Sequence, residues 1–389
     1  MTFRTTCLVL AIVSWASTGW ADEVVGPSDR DFSKSNVLER LARRMEPDLV
    51  GRPERLQQYV DFLQTQIGND KRLFAFQVTP EAGSNGKVQL RGYIEFPETR
   101  GALSQYLEIL GFAVEDQLET IPSTDLGEAI FGVVKVSHSF SYDRPGGPRT
   151  SETDCLIGEP LYLLREENDH LLAHSGEGYL GYIRSEDVER FDATEFDRYT
   201  NGPIVRMLSD VETDGMVIPE GARLKWISSN DDRVTAELPT GEQVKLSASS
   251  CVVRKGPAAN IDEVVKRAKQ LLGTDYKWGG RTSDGIDCSG LVQIGYATAG
   301  LHLPRDSYQQ FYVGQMTATR WNTAGLRRGD TLYFLGDDGK IRHTAMYLGN
   351  DRFIQAVSPE VRINSFNPKH DNFDLRRTKS FAFAKRPVE

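Results

Sequence analysis

One pattern of strands and turns occurs twice in this chain, and it limits the possible folds more than any other feature. "GEPLYLLREENDHLLAHSGEGYLGYI" opens at Gly158, and "GARLKWISSNDDRVTAELPTGEQVKL" opens 63 residues on, at Gly221. Each runs glycine, alternating apolar strand, polar turn, second strand, glycine turn, third strand. Two copies of that order predict two small all-β units in tandem, over 129–194 and 195–256. A plain β-meander is the alternative reading of the same pattern.

The flanks read differently. Upstream, 22–128 shows helical spacing in "NVLERLARRM", "PERLQQYVDFLQTQI" and "RGALSQYLEILGF" around strand-like "RLFAFQV" and "KVQLRGYIEF". This predicts an N-terminal α/β unit, and no catalytic constellation is visible in it. Downstream, 257–389 begins with "IDEVVKRAKQLLG", whose apolar residues Ile261, Val264, Val265, Ala268 and Leu271 share a helical face that ends at Gly273. Strand-rich "GLRRGDTLYFLG" and "HTAMYLGNDRFIQAV" follow.

The first 21 residues carry one positive charge at Arg4, an apolar run from Cys7 to Ala16, and small residues Gly19 and Ala21 before Asp22. They read as a secretory signal peptide of an exported, periplasmic or secreted protein. Cys7 opens the apolar run instead of following it, which argues against a lipoprotein anchor. The formal charge of −9 makes nucleic acid or an anionic surface a poor partner. Cleavage would leave Cys155, Cys251 and Cys288. An odd count leaves at least one thiol free, with Cys155 and Cys251 as the remaining pair that could bridge. The three lie far apart in sequence without ligand spacing, so neither a metal nor another cofactor is expected.

Cys288 stands in "DGIDCSGLVQ", where Gly285 and Asp287 precede a segment whose Leu291, Val292 and Tyr296 share a helical face. A cysteine at a helix N-terminus feels the positive end of the dipole and unpaired N–H groups, which favour thiolate. A buried structural thiol is the alternative. Among six histidines, His138, His170 and His174 fall in the β repeats, while His302 and His370 fall in loops. Only His343 begins an apolar-alternating strand. A nucleophile and its base need spatial proximity, and a helix start packed on a strand start provides it.

Several ordered motifs, "YKWGG", "DCSG", "LPRDSYQQ" and "HTAMYLG", together resemble the NlpC/P60 family of cysteine peptidases across 257–389. "RTSETDCLIGEPLYLL" with "GYLGYI" resembles bacterial SH3-type domains. The resemblance implies an α+β chain: a papain-like catalytic domain preceded by two SH3-like barrels and the N-terminal α/β unit. It implies Cys288 as nucleophile, His343 as base, and Gln355 in "FIQAV" orienting the base, a position where relatives often carry histidine. Tyr276 matches the tyrosine that reaches toward the oxyanion, while Trp278 reads as packing and Gly279 and Gly280 as sites of close backbone approach.

The family cleaves cell-wall stem peptides between γ-D-glutamate and a diamino acid, diaminopimelate or lysine. The tandem-barrel architecture resembles a subgroup that takes peptidoglycan-derived peptides with a free N-terminal L-alanine. In that subgroup the "RDS" aspartate and serine, here Asp306 and Ser307, bind the α-amine; a helix cap is their plainer role. Tyr179 and Glu152 of the first barrel match residues that close the groove, and Asp287 is expected either to position substrate or to cap its helix. Alternative functions are a hydrolase of intact peptidoglycan, a cysteine amidase or acyltransferase, and a non-catalytic wall-binding protein.

Overall fold

The computed structural model describes residues 34–68, 70–83, 86–213, 215–254 and 260–388. The expected signal peptide lies outside the described residues. Among them no helix is long and apolar enough to cross a membrane.

Helices Lys34–Met45, Leu56–Ile67 and Pro97–Ile109 cover a four-stranded sheet in the N-terminal part. Phe76–Ala82 pairs antiparallel with Lys87–Ile94, which then pairs parallel with Ala113–Asp116 across the Pro97–Ile109 crossover. Leu63, Leu90, Leu103 and Tyr106 fill its core, each almost fully buried. The first strand starts at Phe76, later than the "RLFAFQV" pattern suggests, because 70–75 turns away to meet the rest of the protein.

The duplicated pattern becomes two antiparallel sheets. In the first, Pro160–Glu167, His170–Ser175 and Leu180–Arg184 form a meander within seven strands. In the second, Arg223–Ser229, Arg233–Glu237 and Gln243–Ser247 repeat it within five, every strand start displaced by the same 63 residues. All three described cysteines are free, so the Cys155–Cys251 bridge is not made. The reason is packing: Cys155 lies in the core of the first sheet and Cys251 in that of the second.

In the C-terminal part six strands run in the order Gln315–Thr319, Phe381–Arg386, Thr331–Leu335, Ile341–Gly349, Arg352–Val357, Glu360–Ser365. Alternation sends Leu332, Phe334, Ala345 and Tyr347 into one core, and Met346 and Ile354 into another beneath helices Ile261–Gln270 and Cys288–Ala297. The first helix begins at Asn260, whose side chain accepts from the N–H groups of Asp262 and Glu263.

The first β unit is fastened to this domain beside the nucleophile. Arg281 forks onto Glu159 with two 2.9 Å bonds, Leu156 enters the catalytic core, and the Asp154 N–H donates to the Gly279 carbonyl at 3.0 Å. Gly280 must lack a side chain, since a Cβ there would lie 2.3 Å from the Gly285 carbonyl oxygen. Trp278, expected to pack, is instead half exposed, its indole N–H donating to the Ser151 carbonyl. Replacing Arg281 with Met strands the Glu159 carboxylate in a buried junction, and should cost about 3 kcal/mol or more. Denaturant unfolding of the variant checks this: a midpoint equal to the parent's means that the fork does not fasten the units.

Candidate active site

Cys288 is the first residue of its helix, and Asp287 caps it by accepting from the Gly290 N–H at 2.8 Å. The Asp287 carboxylate also accepts from the Gly279 N–H at 2.9 Å and from the Ser289 hydroxyl at 3.2 Å. Arg305 completes it with a bidentate pair at 3.0 and 2.5 Å. Both partners are nearly inaccessible, Arg305 at 2% and Asp287 at 4%. A carboxylate so fully engaged has no lone pair left for substrate. Of the two expected roles for Asp287, the capping one is what the geometry supports.

The main-chain N–H groups of Thr344 and Ser289 reach the Cys288 sulfur and favour its anion. Burial and the neighbouring Asp287 charge outweigh them, and the thiol is pushed up to about 11. This reverses the expectation of a thiolate drawn from the helix dipole alone. Dipole stabilisation is on the order of 0.3–1 kcal/mol at such sites, less than desolvation of a buried anion.

The expected base, His343, lies on the adjoining strand. Thr344, whose N–H faces the sulfur, follows His343 directly in Ile341–Gly349. The His343 Nε2–H donates to Gln355 Oε1 at 2.7 Å, which leaves Nδ1 as the free acceptor. Gln355, fully buried, can face only one way. Arg377 Nε donates to its Oε1 at 2.9 Å, while its amide NH2 donates to Asn364 Oδ1 at 2.8 Å and Asp374 Oδ2 at 3.3 Å. Arginine can only donate and an ionised aspartate can only accept, so this pair fixes the amide and, through it, the imidazole tautomer. Burial and the Arg377 charge push the imidazole down to about 3. The resting pair is therefore a neutral thiol beside a neutral imidazole.

Tyr276 is half-buried, and burial, with the Cys288 and Asp287 charges nearby, drives its hydroxyl well above the usual range. It stays a proton donor. Beyond it opens a groove of about 690 Å³ lined by Tyr276 and His343. Its rim carries Arg320, Arg342, Arg376, Arg377 and Lys379 against Asp337.

A separate cluster, around Asp306, is acidic. Asp306 starts the short helix Ser307–Gln310, and its carboxylate accepts the Tyr179 hydroxyl at 2.6 Å and forms an ion pair with Arg72 at 2.7 Å. Ser307 is buried beside it. Glu152 lies near the same charges, and burial raises it to about 7. Asp306, Ser307, Tyr179 and Glu152 thus come together, while Asp287 belongs to the nucleophile's scaffold. Sequence reading missed Arg305, Arg377 and Arg72. Arg305 had a signal in its place within "RDS", whereas the other two are set only by distant chain.

Among the described residues no group of His, Cys, Asp or Glu could hold a metal. The pH dependence of alkylation follows from the raised thiol. The Cys288 thiolate fraction is below that of an ordinary thiol at pH 7 and grows about tenfold per unit until near pH 11. Iodoacetamide labelling of Cys288, followed by mass spectrometry across pH, should track this rise; a plateau reached below pH 8 contradicts it.

Residues 273–376 match the NlpC/P60 family. The chain is similar to the gamma-D-glutamyl-L-lysine dipeptidyl-peptidase of Bacillus cereus, 25% identical over 232 residues, which cover 54% of this chain and 68% of that protein. It is also similar to dipeptidyl-peptidase 6 of Lysinibacillus sphaericus, 28% identical over 241 residues, or 56% of this chain and 84% of that one. A crystal structure of an NlpC/P60 family protein from Bacillus cereus superimposes with a TM-score of 0.59 at 20% identity. It covers 67% of this chain and 100% of that structure, a likeness of fold that reaches well upstream of the catalytic sheet.

Proposed function

Because this chain belongs to the NlpC/P60 family through its C-terminal domain, we propose that it is a cysteine endopeptidase. It hydrolyses the γ-D-glutamyl bond to a diamino acid in cell-wall stem peptides with a free N-terminal L-alanine. The observation that carries this reading is the pairing at the groove: a thiol at a helix start against a strand whose histidine has one nitrogen tied and one free. In the proposed reaction His343 Nδ1 takes the Cys288 proton as sulfur attacks the γ-carbonyl. The Cys288 main-chain N–H and the Tyr276 hydroxyl receive the oxyanion. His343 then protonates the departing α-amine, and water, activated by the same base, cleaves the thioester. A neutral resting pair makes the sulfur's ionisation part of substrate attack.

The two antiparallel sheets are read as SH3-like domains, the first of which walls the groove with Tyr179 and Glu152. Action on released peptides in an exported location completes the proposal. The dipeptidyl-peptidase relatives support this substrate class by their names.

Charge supports the orientation: the Asp306 and Glu152 cluster suits an ammonium, and the basic groove lined by His343 and Arg376 suits carboxylates. Cleavage of L-Ala-γ-D-Glu-diamino acid by the parent, and none by Cys288→Ala, is the primary test, read as released diamino acid. N-acetylating the alanine should lower kcat/KM by the equivalent of about 2–5 kcal/mol, and Asp306→Ala should harm the free peptide far more than the acetylated one. Equal rates on both peptides point instead to a hydrolase of intact wall.

The basic rim makes a second distinction. A diaminopimelate leaving group brings a side-chain carboxylate, where lysine brings only an ammonium. A preference for the diaminopimelate peptide of at least about tenfold in kcat/KM is expected, equivalent to about 1.4 kcal/mol. A preference for lysine contradicts the charge match.

A further inference from the structure

The N-terminal unit reaches into the acidic cluster around Asp306. Between its second helix and first strand, 70–75 runs out to the first β unit, where the Arg72 carbonyl accepts from the Leu180 N–H at 2.7 Å. The neighbouring Tyr179 lies under the Arg72 guanidinium, 5.1 Å from ring centroid to Cζ. The guanidinium forms an ion pair with Asp306 at 2.7 Å and donates to the Tyr308 hydroxyl at 3.3 Å. It also stands close enough to Glu152 to hold that carboxyl down against the burial that raises it. Asp306 directly follows Arg305, whose guanidinium pairs with Asp287 at the start of the Cys288 helix, so this cluster is tied to the expected nucleophile.

A cation on Asp306, with an aromatic face and a second acid nearby, is the environment that a substrate ammonium requires. We infer that Arg72 is a specificity-determining residue that occupies this seat as an internal stand-in for the ammonium and must be displaced by it. The inference rests on the free-amine reading above.

The geometry favours exchange over permanent occupancy. Arg72 has a second carboxylate in its own loop, since its Nε also donates to Asp70 Oδ1 at 3.1 Å. Leaving Asp306, it keeps Asp70 and can turn into a cavity of about 350 Å³ that it lines together with Glu152 and Asp143. Asp306, in contrast, would be left without a cation unless an incoming ammonium replaced the guanidinium. A peptide without an ammonium cannot compensate that carboxylate, so Arg72 stays and the N-terminal end of such a peptide finds the seat filled. The resident cation therefore raises selectivity for free amines while lowering apparent affinity for them, because only the displaced state binds.

Binding to the full-length Cys288→Ala protein, measured by calorimetry, separates this from turnover. Arg72→Gln in that background should tighten the free-amine tripeptide by about tenfold or more, the factor expected if the seat is open a tenth of the time or less. The N-acetylated tripeptide should gain much less. Asp70→Asn should do the opposite and weaken the free-amine peptide, because a displaced Arg72 then loses the carboxylate that it otherwise keeps in its own loop. General destabilisation cannot produce opposite signs from the two variants. If Arg72→Gln leaves free-amine binding unchanged or weaker while the parent still binds and cleaves the peptide, Arg72 is a fixture and the inference falls with the substrate reading intact. If neither parent nor variant binds or cleaves either tripeptide, the substrate reading falls and takes the Arg72 assignment with it.

Discussion

The buried fork between Arg305 and Asp287 holds the rest of the site in place. Its carboxylate caps the nucleophile's helix and grips the Gly279 N–H, so the start of that helix and the 276–280 turn cannot shift independently. Its guanidinium continues to the Ser289 hydroxyl at 2.9 Å and to Thr153 Oγ1 of the first β unit at 3.1 Å. One ion pair thereby locates the sulfur, the tyrosine turn and the wall of the groove relative to one another. Removing one member of such a pair leaves a buried charge at a cost of about 3–5 kcal/mol, which makes the arrangement close to all-or-none. The next residue along, Asp306, inherits its position from this fork and turns its carboxylate to Tyr179 and Arg72.

Placing that carboxylate at the helix start has an electrostatic consequence. The negative charge that secures the geometry also opposes the thiolate, and the Arg377 charge that orients Gln355 opposes the imidazolium. Structure and reactivity pull in opposite directions at both members of the pair. The result is an uncharged resting state, which in the proposed reaction would give up its proton as the sulfur attacks a carbonyl. Glutamine suits that arrangement, because it fixes the tautomer without adding a negative charge that would stabilise the imidazolium.

The reading of single residues succeeded where the local chain decides the outcome. The 63-residue repeat emerged strand for strand, because alternating burial and turn glycines act over a few residues. The helix from Ile261 and the strand from Ile341 followed their apolar spacing for the same reason. Asp287 and Cys288 were placed at a helix start by the glycine and acid before them, and both lie there. The direction of the Cys288 shift was misjudged, since the dipole is visible in sequence and desolvation is not.

By itself, then, the sequence determined the order of helices and strands, the duplicated β units, and a cysteine at a helix start with a histidine on a following strand. Only the tertiary structure decided what surrounds them. Arg377 reaches Gln355 from 22 residues away, Arg305 reaches Thr153 from 152, and Arg72 reaches Tyr308 from 236. Such contacts carry no periodicity that a local reading could detect. Charge interactions and burial depend on distance through space and on the loss of water, and both come into being only when separate cores close on one another.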